Sequence, residues 1–173
     1  MRYVELRRHT DNDDDRLTAQ GIAAAELIGR DRLNPPYDAF VSTGAARATQ
    51  MLEILRHAAG QDGTPITRAT GLRSSVESRW REAAKVAGKG ADVEAMRAVD
   101  PDLVEKESWL LASAVRQVVR GLPEGGRALV VGHSPTNEAA VLGLTGKVVP
   151  ALGKGEGVLL IEDGGKYRVE PLS

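Results

Sequence analysis

Arginine or histidine residues stand at three separate points of this 173-residue sequence, each close to an apolar stretch. Arg8 and His9 end the first apolar stretch, Arg47 follows a Ser-Thr-Gly turn, and His133 follows a second apolar stretch. Planar guanidinium groups match the oxygens of a phosphoryl group, and a neutral imidazole can attack phosphorus as a nucleophile. These residue types therefore predict binding of a phosphoryl group and nucleophilic chemistry on its phosphorus.

Predicted strands end where these polar residues stand. Residues 2–8 alternate in polarity, residues 38–41 lead into the Ser-Thr-Gly turn, and residues 128–131 are apolar on both faces, as in the middle of a parallel sheet. A shorter strand is predicted over residues 65–69. Parallel strands place their carboxyl ends along one edge of the sheet, where such folds bind ligands, so we expect the three clusters to meet there.

Helical patterns follow the strands. Thr18 is a predicted N-cap, and Asp100-Pro101 and Ser134-Pro135 are each predicted to start a helix with a capping side chain before a proline. Apolar residues with helical spacing in the first two helices are Ile22, Ala25, Ile28, Ala48, Met51, Leu52 and Leu55. Helix starts directly after strands supply free N–H groups, which favour an anion at the same edge.

The order of these elements predicts the fold class. We expect a single α/β domain over residues 1–173, with a mostly parallel sheet covered by helices on both faces in three layers. Residues 157–162 and 166–170 flank a turn with two glycines and predict a C-terminal antiparallel hairpin. The polar stretch 71–98, with short helical fragments, is predicted to be a variable excursion over the sheet.

Composition excludes several classes of function. The chain has 23 Lys and Arg against 24 Asp and Glu, so its net charge of -1 favours neither nucleic acid nor an anionic membrane. It has no cysteine, which excludes disulfides and thiolate metal sites. The sequence has no apolar stretch as long as a membrane span and no apolar leader, from which we expect a cytoplasmic protein.

The acidic run at residues 11–15 invites comparison with a calcium-binding loop. Arg16 stands where such a loop needs its turn glycine, and Ile22 stands where it needs its closing glutamate. We therefore interpret the run as a solvated loop at the mouth of the pocket. No metal ion and no cofactor are expected.

Three segments resemble the signatures of a known superfamily. Arg-His-Thr at residues 8–10, STGAARATQ at 42–50 and VGHSPTNE at 131–138 are similar, in this order, to motifs of the histidine phosphatase superfamily, which has the phosphoglycerate-mutase-like fold. The short connection after the first strand and the GHSPTNE form look most similar to small SixA-type phosphohistidine phosphatases. The resemblance spans most of the chain.

The resemblance implies a role for each charged residue of the site. His9 would be the nucleophile that becomes phosphorylated, Arg8 and Arg47 would hold the phosphoryl group, and His133 would be the second histidine of the pocket. Mutase-like members also use a glutamate after the third strand as general acid, and Glu77, with Glu82 behind it, is the matching candidate.

Four further residues are expected to contact the substrate: Thr10, Asn12, Thr43 and Ser134. Two of the three motifs depart from the superfamily pattern. Thr10 stands where a glycine usually follows the nucleophile, and Thr43 and Gly44 replace the usual second serine and proline of the arginine motif. Neither change alters a charged group, so the phosphoryl site is expected to persist.

The resemblance implies a metal-independent phosphatase with a phosphohistidine intermediate. Its partner would be a phosphorylated small molecule or a phosphohistidine protein. Two alternatives remain open at this point: a phosphoglycerate-mutase-type phosphotransferase, and a catalytically silent module that binds phosphate or another protein.

Overall fold

Strands and helices alternate along most of the chain in the computed structural model, which describes residues 1–172. The strands are β1 Arg2–Arg8, β2 Asn12–Asp13, β3 Arg16–Leu17, β4 Ala39–Ser42, β5 Ile66–Arg68, β6 Arg127–Gly132, β7 Gly157–Asp163 and β8 Lys166–Pro171. The α-helices are α1 Ala19–Asp31, α2 Ala46–Ala58, α3 Glu77–Ala87, α4 Val93–Val99, α5 Pro101–Arg120 and α6 Thr136–Thr145. One turn of 3-10 helix, Thr70–Leu72, precedes α3.

Six strands form one sheet in the order β5-β4-β6-β1-β7-β8. The first four of these are parallel, with Arg8 opposite Gly132 and Ser42 opposite Val131 at their carboxyl ends. The remaining two are the C-terminal hairpin, and β7 pairs antiparallel with β1. The predicted fold class is confirmed, and the register brings the ends of β1, β4 and β6 side by side.

Two apolar clusters cover the two faces of the sheet. On one face Phe40 and Leu129 pack against residues of α1 and α2, and on the other Val4 and Val130 pack against residues of α3 to α6. Strand β6 contributes to both clusters, because successive side chains of a strand point to opposite faces. Because β6 is buried on both faces, it holds the following residue, His133, in a fixed position.

Helix α5 has a one-sided apolar surface, as its sequence pattern predicts. Leu111 and Val115 are fully buried against the sheet and α6, whereas Trp109, on the other side of the helix, is 66% exposed. Neither α5 nor any other helix within residues 1–172 has the combination of length and hydropathy that crossing a membrane needs.

Two of the three predicted helix caps are confirmed. Thr18 Oγ1 accepts a hydrogen bond from the Gly21 amide at 3.0 Å, and Asp100 Oδ1 accepts one from the Leu103 amide at 3.3 Å. Each satisfies one of the free N–H groups at a helix start. These caps fix where α1 and α5 begin.

The predicted cap at Ser134 is wrong. Helix α6 begins at Thr136, Pro135 stands at the capping position, and no side chain caps the helix. The Ser134 hydroxyl instead donates to the Glu138 carboxylate, which is fully buried. A buried carboxylate without hydrogen-bond donors is costly, and the Ser134 hydroxyl supplies one of the donors that Glu138 needs.

The excursion between β5 and α5 is anchored to α5 by hydrogen bonds to one carboxylate. Glu107 of α5 is buried, and its Oε1 accepts hydrogen bonds from Trp80 Nε1 at 3.2 Å and from the Ser74 hydroxyl. Trp80 itself is buried in the core cluster of α5. These contacts fix the start of α3 next to the carboxyl ends of the strands.

Candidate active site

The carboxyl ends of β1, β4 and β6 meet at a cavity of about 520 Å³. Its floor contains Arg8, His9, Arg47 and His133, which come from three different strand ends. Both histidines are buried, and the His9 amide donates to the Gly132 carbonyl at 3.1 Å. The sheet therefore brings together all four residues that the strand-end pattern identifies.

His9 is neutral and accepts a hydrogen bond from Arg47. Its Nδ1 lies 2.8 Å from the Thr10 carbonyl oxygen, which can only accept, so Nδ1 carries the proton and the lone pair of Nε2 accepts from Arg47 Nε. Burial lowers the pKa of His9 to about 4, the charge of Arg47 adds to this effect, and the hydrogen bond to Thr10 opposes it. Near neutral pH, Nε2 is unprotonated and directed toward Arg47, whose Nε lies 3.3 Å away.

His133 is also neutral and lies beside His9. The two ring centroids are 5.3 Å apart. Its Nε2 lies 2.9 Å from the Thr43 hydroxyl, and Arg47 Nη2 lies 3.4 Å from its Nδ1. Burial lowers the pKa of His133 to about 3, and the charge of Arg47 contributes in the same direction. Since a guanidinium only donates, Nδ1 of His133 accepts from Arg47, and Nε2 carries the proton and donates it to the Thr43 hydroxyl.

Arg47 is held by a carboxylate that the sequence analysis did not identify. Asp15, in the turn between β2 and β3, accepts from Arg47 Nη1 at 2.9 Å and from the Arg47 amide at 3.3 Å. Burial opposes ionisation of Asp15, but hydrogen bonds from Arg47 and Ala46 outweigh it and lower the pKa. Asp15 thus caps α2 from outside the helix and leaves Nε and Nη2 of Arg47 facing the histidines.

Arg8 is held from the other side of the cavity. Its Nη1 donates to the Leu152 carbonyl at 2.7 Å, and the Leu152 amide donates to Glu138 Oε2 at 3.3 Å. Burial raises the pKa of Glu138, and the positive charge of Arg8 acts against that rise. The backbone of Leu152 therefore connects the Arg8 guanidinium with the Glu138 carboxylate.

Glu77 lies at the cavity, as predicted. Its carboxylate accepts from Arg73 Nε at 2.6 Å, and Arg81 Nη1 lies 3.9 Å from its other oxygen. All three side chains line the cavity, while Glu82 does not. Glu77 is thus the carboxylate of α3 that can reach a group bound above His9.

The four predicted substrate contacts divide into two pairs. Asn12 and Ser134 line the cavity. The Thr10 hydroxyl donates to the Gly21 carbonyl at 2.7 Å, and Thr43 bonds to His133, so both hydroxyls are used within the protein. The structure does not bring Thr10 or Thr43 to the cavity surface.

Three cations of the cavity were not identified from the sequence: Arg73, Arg81 and Lys154. The two arginines stand four residues before and after Glu77, a spacing that puts side chains on one helix face and could have drawn attention to them. Lys154 lies in the loop before β7, where no periodicity exists, and its ammonium contacts the Asn12 side chain. Its place depends on the whole fold.

Comparisons with known proteins define the fold. No protein-family model and no curated protein matches the chain. Among solved structures, phosphoglycerate mutase from Bacillus anthracis is similar at 16% identity and a TM-score of 0.75, covering 98% of this chain and 92% of that one. A putative phosphohistidine phosphatase SixA from Agrobacterium tumefaciens is similar at 20% identity and a TM-score of 0.59, with 99% and 97% covered.

A third similar structure is the mycobacterial glucosyl-3-phosphoglycerate phosphatase in complex with inorganic phosphate. It is 16% identical, with a TM-score of 0.65 and coverage of 99% of this chain and 97% of that one. At such identities the likeness concerns the fold. The chain has the phosphoglycerate-mutase-like fold of the histidine phosphatases, and the resemblance seen in its three motifs is confirmed at that level.

Proposed function

We propose that the protein is a metal-independent phosphatase that forms a phosphohistidine intermediate on His9. The observation that carries this proposal is the unprotonated Nε2 of His9, which accepts from Arg47 Nε at 3.3 Å on the floor of a cationic cavity and can turn to phosphorus when a phosphoryl group takes over that arginine. A buried imidazole with a low pKa remains nucleophilic near neutral pH. The similar fold of known phosphatases supports the same reaction class.

In the first half of the reaction, His9 Nε2 attacks phosphorus in line with the ester oxygen. The new N–P bond forms as the P–O bond to the alcohol breaks, and the departing oxygen takes a proton from Glu77, which first takes one up from solvent and releases Arg73. Arg8 and Arg47 bind the oxygens of the transferring group and stabilise its charge. Once the phosphoryl group replaces the Arg47 contact at Nδ1 of His133, the ring proton can move from Nε2 to Nδ1 and be donated to a phosphoryl oxygen, while Thr43 donates to Nε2.

In the second half, water attacks the phosphohistidine. Glu77, now ionised, takes a proton from that water, the N–P bond breaks, and inorganic phosphate leaves. The electron pair of the broken bond returns to His9 Nε2, so the enzyme recovers its starting state. No metal ion takes part in this proposed cycle.

The substrate class follows from the cavity. Its volume and its cations suit a small phosphomonoester, and a phosphohistidine side chain on another protein is the second candidate substrate. A phosphohistidine leaves as an imidazole, which makes less demand on Glu77 than an alkoxide does. Similar solved structures include a phosphoserine phosphatase and an alpha-ribazole phosphatase as well as a phosphoglycerate mutase, so a phosphoglycerate-mutase-type transferase is the alternative to hydrolysis.

Hydrolysis of an aryl phosphate in the presence of a chelator tests the proposal. Part of each reaction is stopped in alkaline detergent, and the protein is examined by mass spectrometry for an acid-labile phosphoryl group on His9. The wild type should turn over and carry the label, and His9→Ala should do neither. His57→Ala is the matched control, because His57 is exposed and pairs only with Asp62 in the described structure.

Two outcomes would contradict the proposal. Turnover by His9→Ala at the wild-type rate would remove His9 from the mechanism. Binding of inorganic phosphate by a folded wild type that hydrolyses neither aryl phosphate nor phosphohistidine would instead support a silent phosphate-binding module.

A further inference from the structure

A second cavity continues from the active site along α3. It has a volume of about 810 Å³ and shares Arg8, Arg81, Ala84, Ser134 and Pro135 with the first cavity. We call it the α3 groove. We call its lining from α3 and the segment after it, with Arg81, Lys85 and Lys89, the cationic wall, and its lining from α4 and the loop before β7, with Met96, Ala151 and Leu152, the opposite wall.

The cationic wall has regular spacing. Arg81 and Lys85 are four residues apart on α3, which places them one above the other at about 6 Å along the helix axis. Lys89 follows after Gly88, which ends the helix at a positive φ of 101°. All three side chains are exposed. The row leads from the phosphoryl pocket, which Arg81 borders, toward the far end of the groove.

Few carboxylates balance this charge. Glu156 is the one acidic residue that lines the groove within residues 1–172, and its carboxylate already accepts from the Gly153 amide. Glu82 is on α3 but does not line the groove. In a chain whose net charge is -1, this concentration of cations beside a phosphoryl pocket is a local feature.

The opposite wall is apolar or backbone. Met96 belongs to the core cluster, and Ala151 and Leu152 present a small and an aliphatic side chain. Such a surface suits a hydrocarbon linker and offers it no hydrogen bonds. The groove thus combines a surface for an apolar spacer with cations for an anion at its end.

We propose that the α3 groove binds a second anionic group of the substrate. The preferred substrate is then a phosphomonoester with a phosphate, phosphonate or carboxylate at its other end, joined by a mostly apolar spacer. This inference rests on the proposed phosphatase function, and it narrows the substrate class. Lys85 and Lys89 determine specificity and take no part in the reaction at phosphorus.

A pair of synthetic substrates tests the inference. Butyl phosphate has one anionic end, and 4-phosphonobutyl phosphate adds a second that cannot be hydrolysed, so release of inorganic phosphate reports one site in both. At low ionic strength, the wild type should have a KM about tenfold lower for the phosphono compound, with little change in kcat. Added salt should reduce that preference because it screens exposed charges.

The variant Lys85→Ala/Lys89→Ala should lose the preference and retain wild-type kinetics on butyl phosphate. The matched control is Lys147→Ala/Lys166→Ala, which removes two exposed lysines outside both cavities and changes the net charge equally. The control should keep the preference. A wild type without preference, or an equal loss in the control, would overturn the inference while leaving the phosphatase intact.

Direct binding separates this inference from the proposed function. Calorimetry with the His9→Ala protein measures the affinity of both compounds without any turnover. A tighter complex with the phosphono compound, weakened when Lys85→Ala/Lys89→Ala is added, supports the groove even if the wild type hydrolyses neither compound. Equal affinities for the two compounds reject it.

Discussion

The two walls of the active-site cavity are built in different ways. On the strand-end wall, Arg47 is mostly buried and connects His9, His133 and Asp15, which come from distant parts of the chain. On the α3 wall, Glu77 at the start of α3 pairs with Arg73, four residues before the helix, and with Arg81, four residues into it, and 36% to 74% of each side chain is exposed. The first wall is fixed by tertiary structure, and the second by local contacts.

This difference separates reaction from selection. Buried hydrogen bonds between segments hold reacting groups within narrow limits, which transferring a phosphoryl group requires. Exposed pairs within a helix contribute little stability, so their residues can bind new partners at small cost. We therefore expect substitutions on the strand-end wall to affect every substrate and those on the α3 wall to affect substrates selectively.

The largest expected effect comes from Arg47→Ala. It removes the group that contacts both histidines and binds the phosphoryl oxygens, so kcat/KM should fall about a thousandfold for aryl and alkyl phosphates alike. Arg47→Lys keeps the charge without the planar contacts and should be intermediate. Arg30→Ala, at an exposed position of α1, is the control. A fall in kcat/KM of less than tenfold for Arg47→Ala would contradict the proposal that the strand-end wall is needed for every substrate.

Glu77→Gln should have a smaller effect that depends on the leaving group. A general acid matters most when the leaving oxygen is basic, so kcat/KM, which reports transfer to His9 and not the shared hydrolysis of the phosphohistidine, should fall about a hundredfold for an alkyl phosphate and much less for a nitrophenyl phosphate. Glu82→Gln, one turn further along and outside the cavity, should match the wild type. Equal losses with both substrates would exclude Glu77 as the acid.

Acidification tests the burial of the two histidines. Their folded-state pKa values, about 4 and about 3, lie below the ordinary value of 6.5, so the unfolded chain takes up protons first as the pH falls below 6.5. The free energy of unfolding should therefore decrease from pH 6.5 toward pH 4, by about 1 kcal/mol per pH unit for each histidine.

Urea unfolding at several pH values measures this slope. His9→Asn should have a smaller slope between pH 6.5 and pH 5, above the range in which most carboxylates titrate. His57→Asn should leave the slope unchanged, since His57 is exposed. A wild-type slope that matches that of His9→Asn would show that His9 is not buried in the neutral form.

The smallest effect is expected from Asp15→Asn. The amide keeps an acceptor for the Arg47 backbone but loses the charge that orients its guanidinium, so kcat should fall about fivefold. Asp13→Asn, exposed in the same hairpin, controls for the change in net charge. An increase in activity would show instead that the Asp15 carboxylate competes with the phosphoryl group for Arg47.

The sequence predicts those parts of the fold that have strong periodicity. Strand β1 and helices α2 and α5 have clear patterns because each packs one face on a large core. The convergence of Arg8, His9, Arg47 and His133 was predicted because parallel strands share an edge. Their individual roles in the reaction stay predictions until the variants are measured.

Helix α1 shows how packing alters a predicted face. Ile22 and Ile28 were expected to point inward, but the fully buried positions include Gly21 and Gly29, and the isoleucines are only partly buried. A Cβ atom at Gly21 would lie 2.0 Å from the Asp11 carbonyl oxygen. The helix therefore turns its small residues toward its neighbours, and a scale of hydrophobicity does not anticipate such close contact.

The missed features of the site depend on contacts between distant residues. Asp15 meets Arg47, and Ser134 donates to a carboxylate that is buried only in the complete fold. The two-residue strands β2 and β3 are too short for a periodic signal and consist mainly of polar residues. Local propensity does not determine such segments, because their partners come from elsewhere in the chain.

The position of β1 in the sheet determines how late in synthesis the sheet can form around it. This strand pairs with β6 and β7, whose residues Arg127 and Gly157 lie opposite Tyr3 and Arg7. On the ribosome, the first strand is therefore synthesised long before either of its neighbours exists. His9 leaves the exit tunnel early, but His133 and Lys154 of the same cavity follow only with the last quarter of the chain, so we expect an incomplete nascent chain to lack the assembled cavity.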